Sequence, residues 1–164
     1  KKTTLDSFRT LKESMPNFNL FKTLIDDVIP FLPSIEKKYR NKIIGNLGNR
    51  DITKRAFQLI NNYYQNMNAA NSNQLKGFYT QLGNLINLHH QNLRDYIQVS
   101  TNKINDMISE SLKAGALGGK INGSGFGGTM FALILDHEDD LKSAIEEVGG
   151  KAYILKTSNG VEIY

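Results

Sequence analysis

The sequence predicts an α+β domain: a helix-rich first two thirds, then a small, largely antiparallel sheet covered on one face by helices. Apolar residues recur at helical spacing from Leu5 to Leu112, and after Gly115 the pattern changes to short apolar runs punctuated by glycine. The chain has 164 residues, of which 40% are hydrophobic and 22% charged, which suits one domain with its own core. No internal repeat or composition break divides it, so residues 1–164 are read as a single domain.

Leu5, Phe8 and Leu11 mark a short amphipathic helix that ends near Pro16. An apolar segment from Leu20 to Val28 is broken by Pro30 and Pro33. Ser34 is read as the N-cap of a third helix carrying Ile35, Tyr39, Ile43 and Leu47 inward. A fresh helix is expected from Asp51, with Ile52, Ala56, Leu59, Ile60, Tyr63 and Met67 on one stripe. Its antiparallel neighbour, across the short linker Asn68–Asn73, starts at Ser72 or Asn73 and carries Leu75, Phe78, Leu82, Leu85, Ile86, His89 and Leu93. Ser100 or Thr101 begins one more helix, with Ile104, Met107, Ile108 and Leu112 inward, stopping near Gly115. Then come a strand at Lys120–Asn122, a loop at Gly123–Gly128, and a buried strand at Thr129–Leu135. A helix follows at Asp136–Val148, with Leu141, Ile145 and Val148 inward. Strands at Ala152–Lys156 and Val161–Tyr164, joined by the turn Ser158-Asn159-Gly160, complete the pattern.

Composition removes several functional classes. Without cysteine there are no disulfides, no thiolate chemistry and no Cys-based zinc site. No apolar run is long enough to cross a bilayer, and the polar start at Lys1–Asp6 does not read as a signal peptide; the expected location is cytoplasmic, with no membrane partner. The net charge is +4, with the acidic excess confined to residues 136–164. The basic residues are scattered among Asn, Gln and Asp without interleaved aromatics, so no nucleic-acid surface is expected.

The informative stretch is Gly115–Thr129, which holds seven of the chain's 14 glycines. Glycine is costly to order, so such a loop needs unusual dihedrals or a close backbone approach. Its successive N–H groups can form an anion-binding concavity, to which Ser124 adds a hydroxyl. It is not a Walker loop, because no Lys-Ser or Lys-Thr follows the glycines, and not a dinucleotide fingerprint, because a strand follows where a helix should begin. A plain flexible hairpin fits the composition equally well. Phe126 can either plug the core behind the loop, the favoured reading, or line a ligand pocket.

Two stretches carry a family resemblance. Gly115–Leu135, with Gly-Ser-Gly-Phe-Gly-Gly at 123–128, resembles the third motif of the GHMP small-molecule kinases, which include galactokinase, homoserine kinase, mevalonate kinase and phosphomevalonate kinase. Leu85–Ser100, with Asn87, His90, Leu93, Arg94, Asp95 and the pair Val99-Ser100, resembles a galactokinase helix of the form Leu-Met-Asn-Glu-Ser-His-x-Ser-Leu-Arg-Asp. The likeness runs over roughly residues 40 to 164 and is most like the galactokinase branch. It implies a GHMP C-terminal domain with a ferredoxin-like core, lacking the N-terminal half that in this family carries the main ATP-phosphate motif and, in galactokinases, the catalytic aspartate and arginine. It also implies ATP and magnesium as cofactors of the intact parent, a sugar as substrate, and no turnover by this chain alone. The surface that meets the N-terminal half could support self-association. Gly123, Ser124, Gly125, Phe126, Gly127 and Gly128 would then lie near phosphates and substrate, supported by His90, Arg94, Asp95, Lys120 and Asn122, with no catalytic base among them. Leu88, His89, Asn122 and Thr129 depart from the galactokinase pattern, and Gly118-Gly119-Lys120 is also seen in heptose-phosphate kinase relatives. Galactose is therefore the first reading of the substrate and a heptose phosphate the alternative; a noncatalytic module binding a small molecule or partner is the third.

Other candidates are read structurally. His89 and His90 are adjacent and cannot share a helix face, His137 is remote, and no metal site is expected. The Arg94–Asp95 pair is read as anchoring the helix end to the sheet or to another domain. Asp136, Glu138, Asp139 and Asp140 are explained by capping and the helix dipole rather than by magnesium.

Overall fold

The structure, a computed structural model, describes residues 2–66, 71–156 and 160. Helix α1 (Lys2–Ser14) is followed by a single turn, α2 (Ile25–Val28), and a 3-10 helix at Ile29–Ser34. Helices α3 (Lys37–Gln65) and α4 (Ser72–Asn92) come next; α4 runs into a π-helical turn at Leu93–Ile97. Helix α5 (Asn102–Lys113), strands β1 (Gly118–Asn122) and β2 (Thr129–Leu133), and helix α6 (Glu138–Glu147) complete the described elements. The α+β reading holds, and β1 pairs antiparallel with β2, Gly118 opposite Leu133 and Asn122 opposite Thr129.

Two apolar clusters flank the α3–α4 pair. One gathers Leu11, Phe18, Val28, Leu32, Ile35, Ile43 and Leu47, where α1 and the 3-10 helix close on the first half of α3. Arg50 ties the entry loop to α3 by donating to the carbonyls of Leu20 and Thr23, each at 2.7 Å. The other gathers Ile104, Met107, Ile108, Ala116, Ile121, Leu141 and Ile145 between α5, α6 and the sheet. Tyr63 stacks on Phe78 with centroids 4.1 Å apart, and Gly45 and Gly48 face Ile97 and Asn92, so α3 and α4 are antiparallel as expected.

Several elements differ from the sequence reading. Residues 37–65 form one helix, with no break at Asp51, which pairs with Arg50 at 2.7 Å instead of capping. Gly45 and Gly48 lie within it. They permit close approach: a Cβ on Gly45 would come 2.7 Å from the Ile97 side chain, and one on Gly48 would come 2.6 Å from the Asn92 amide. Ser34 ends the 3-10 helix and does not cap α3. The cap of α4 is Asn71, in a reciprocal capping box with Gln74. Thr101 caps α5.

Leu5, Leu75 and Leu112, placed inward by periodicity, are exposed. Strand β1 starts two residues before the expected Lys120. Strand β2 is covered on one face only, with Phe131 outward, and stops at Leu133. Helix α6 starts at Glu138 because His137 sits at φ 67°, outside helical space. Ala152–Lys156 forms no strand, since extended backbone becomes a strand only by pairing, and among the described residues β2 pairs with β1 alone. The expected partner Val161–Tyr164 and most of the turn before it lie outside the described residues, as does Met67.

Helix α4 lies against β1 backbone to backbone. A Cβ on Gly83 would stand 2.4 Å from the Leu117 carbonyl oxygen, and one on Gly118 would stand 2.3 Å from the Gly83 carbonyl oxygen. Neither neighbour can swing aside, because both are main chain. We expect Gly83→Ala to cost about 1–3 kcal/mol through overpacking. Gly77→Ala, on the same helix but facing open space, should stabilise by about 0.5–1 kcal/mol. Equilibrium denaturation of both variants checks the contrast.

Candidate functional site

The side chains of α4 facing β1 take over the strand's free edge. Gly119 and Ile121 turn their N–H groups toward α4, and Leu117 turns its carbonyl there while its own N–H donates to Leu133 at 2.8 Å. Asn87 accepts from the Gly119 N–H at 2.9 Å and donates to the Leu117 carbonyl at 3.2 Å. One turn on, His90 Nδ1 accepts from the Ile121 N–H at 3.4 Å. Its Nε2 lies 3.3 Å from Asn105 Oδ1, which also accepts from the Ser100 hydroxyl at 2.7 Å. These partners assign the neutral tautomer with the proton on Nε2. The spacing Asn-x-x-His is what two side chains on one helix face need to reach alternate residues of one strand. His90 thus reaches a neighbouring element, while Asn87, named in the sequence only as part of the matched stretch, and Asn105, not singled out there, complete the arrangement.

Burial lowers the His90 pKa, and the charges of Arg94 and Lys120 add to it against the opposing effects of the Asn105 hydrogen bond and Asp95. Burial likewise lowers the pKa of His89, helped by Lys120 and His90, and that of Lys120 itself. Lys120 donates to the Ile121 carbonyl at 2.8 Å and lies 5.3 Å from the Phe131 ring centre, not in the loop. Arg94 and Asp95 form a two-point pair with each other at 2.6 and 3.1 Å on an exposed turn. Their mutual pairing holds Asp95 below and Arg94 above their ordinary values. Among the described residues neither makes a hydrogen bond to the sheet; each is paired with the other. Arg94, Asn87, His90 and Asn105 also border an open groove of about 280 Å³ between α4 and α5.

The loop after β1 is built from positive φ angles: Gly123 at 76°, Gly125 at 91°, Phe126 at 63°, Gly127 at 120° and Gly128 at 89°. Glycine-rich turns of this kind can present successive N–H groups as an anion-binding concavity. Those of Ser124, Gly127 and Gly128 have no backbone acceptor among the described residues. Among the described residues the loop is tied down where Phe126 N–H donates to the Val99 carbonyl at 2.6 Å. The Phe126 ring is 77% exposed and does not plug the core, because its left-handed backbone turns the side chain outward. Ser124 and Asn122 are exposed at the loop's base. Among the described residues no three His, Asp or Glu side chains gather to hold a metal. Glu138, Asp139 and Asp140 occupy the first turn of α6, where the dipole favours them.

Residues 69–154 match the family model of the GHMP kinases C terminal. Mevalonate kinase of Thermococcus onnurineus is 41% identical over 81 residues, covering 49% of this chain and 24% of that protein. Galactokinase of Mycobacterium tuberculosis is 40% identical over 57 residues, covering 34% of this chain and 15% of that protein. The chain therefore spans about a quarter or less of the curated relatives it matches. The crystal structure of Lactococcus lactis galactokinase complexed with galactose superposes with a TM-score of 0.69 over 90% of this chain and 36% of that one. At 20% identity that likeness speaks for the fold alone.

Two outcomes are expected from this geometry. Phe126→Gly should change stability by no more than about 1 kcal/mol, relief of the left-handed strain offsetting the added chain entropy. A core phenylalanine would cost about 3–5 kcal/mol on truncation. Thermal denaturation separates the two. The second concerns pH. The fold holds His90 neutral with a lowered pKa, whereas the unfolded chain protonates it below about 6.5. Stability should therefore be full above that pH and fall on acidification toward the folded-state pKa, by at most about 1.4 kcal/mol per pH unit for one group. His90→Gln should flatten this slope, leaving the part due to His89, in denaturation curves taken from pH 7.5 to 5.

Proposed function

The chain belongs to the GHMP kinases, as their C-terminal domain, and we propose that its Gly123–Gly128 loop helps hold the phosphates in an ATP-dependent small-molecule kinase. The observation that carries the reading is the loop itself: five positive φ angles within residues 123–128, with N–H groups at Ser124, Gly127 and Gly128 that meet no acceptor among the described residues. Such an array binds anionic oxygens without a charged side chain. Bound ATP and magnesium would supply the phosphoryl group and most of the charge neutralisation, in a reaction that depends on positioning and electrostatics. This chain's share is the backbone donors, the Ser124 hydroxyl, and the rigid support of the loop by α4 and β1. His90, Lys120 and Asn122 act in that support; the exposed Arg94–Asp95 pair is free to meet a neighbouring domain. The ATP-binding half of the kinase is the proposed partner, and it brings the catalytic base.

For the substrate, the first reading is a sugar hydroxyl, with galactose giving galactose 1-phosphate. Phe126 within the glycine run and the similarity to galactokinase support it. The second is mevalonate, supported by mevalonate kinases that match over a longer stretch, 81 residues against 57. A heptose phosphate remains a third candidate through Gly118-Gly119-Lys120. The complete kinase carrying this domain, given magnesium-ATP with galactose, mevalonate or a heptose phosphate in parallel, decides among them by kcat/KM. Isolated, this chain should turn over none of them.

The loop's role is tested by Gly127→Ala in the complete kinase. A Cβ there meets open space, so the substitution acts only through the φ of 120°. We expect turnover to fall on the order of 100-fold through misplaced donors, with a stability cost of about 1–3 kcal/mol. Normal turnover in a well-folded variant would remove the loop from the active site.

A further inference from the structure

We propose that Val99 is a positioning residue for the glycine loop, and that the π-helical turn at Leu93–Ile97 exists to hold Val99 in place. This rests on the loop's proposed place at the phosphates.

Val99 touches the loop twice. Its carbonyl oxygen accepts from the Phe126 N–H at 2.6 Å. Its side chain occupies the hollow left by the missing Cβ of Gly125, since a Cβ there would lie 2.5 Å from Val99 Cβ and 3.1 Å from Cγ2. Glycine at 125 is therefore required by contact with Val99 as well as by its φ of 91°. Gly123, Gly127 and Gly128 face open space, so Val99 is the contact that fixes where the arch stands.

Val99 is itself held from behind. The N–H groups of Gln98 and Val99 both point at the Leu93 carbonyl, closing the widened turn, and Gln98 takes the left-handed conformation at φ 57°. Lys42 of α3 donates to the Ile97 carbonyl. Gly45 of α3 admits the Ile97 and Tyr96 side chains, with Ile97 Cδ1 2.7 Å from where a Cβ would stand. An α-helical continuation would release Leu93 from this double contact and swing residues 98 and 99 away. The extra residue of a π-turn therefore has a geometric task, in keeping with the frequency of such turns at functional sites. Ser100, next in the chain, donates to Asn105 at 2.7 Å, which joins the same support to the His90 network.

The test uses Val99→Ala and the isosteric Val99→Thr in the complete kinase, beside Gly127→Ala. Val99→Ala keeps the backbone hydrogen bond and Cβ but removes the Cγ2 methyl that packs over Gly125. Expected are a kcat lower by about 10–100-fold, a KM for ATP changed less than kcat, and faster hydrogen exchange of the Phe126 amide. Val99→Thr, with the same branched shape, should restore both turnover and amide protection. A fall in activity that only tracks the folded fraction would overturn the proposal, as would failure of Val99→Thr to restore it in a folded protein. Loss of activity in Gly127→Ala with full activity in Val99→Ala would overturn the role of Val99 while leaving the loop in the site. Full activity in both would overturn the loop's placement, and this proposal with it.

Discussion

The contact between Gly83 of α4 and the Leu117–Gly118 backbone of β1 is the constraint on which the C-terminal architecture depends. Two main chains meet there with no side chain between them. Packing this close removes the space that water would need to satisfy the strand's outer edge. The helix must then supply the missing partners itself, and Asn87 and His90 do so at positions one and two turns farther along. Close approach and polar edge are thus one solution, since a larger residue at 83 would lift both side chains out of reach of β1.

From this frame, positional order passes outward in two directions. Asn105 collects hydrogen bonds from His90 and Ser100, so the start of α5 is tied to the same edge. The hairpin's far end is held by Val99, which leaves α4 through the π-turn. A loop with so many left-handed residues has little preference of its own for one shape. Its shape is imposed by the edges it leaves and by the Phe126–Val99 hydrogen bond. A neutral buried histidine suits such a frame, because protonation would turn Nδ1 from an acceptor into a donor aimed at the Ile121 N–H.

Membership of the GHMP kinases accounts for why a strand, rather than a helix, follows the glycine run. In a helix-following phosphate loop the dipole contributes to anion binding. Here the loop joins two strands, so in the phosphate role we propose the donors would be the loop's own N–H groups.

The sequence by itself determined the class of the fold, the existence of nearly every described helix, the antiparallel α3–α4 pair, the β1–loop–β2 hairpin and the family. The fold elements follow from local signals, periodicity, caps and the composition of the glycine run, whereas the family follows from the resemblance of two motifs. The kinship was legible because Asn87, His90 and the glycines sit at fixed intervals in the chain. Whether a glycine breaks a helix or admits a neighbour is decided by the neighbour. Thus Gly45 and Gly48 left residues 37–65 a single helix only once the π-turn and Asn92 were packed against them. The direction of Phe126 was likewise a tertiary matter, because its backbone is held left-handed by a carbonyl twenty-seven residues earlier in the chain. The same holds for Val99, whose residue type carries no chemical signal. Its importance comes from a contact across a gap in sequence, and no local pattern records which residue will fill the hollow over a distant glycine.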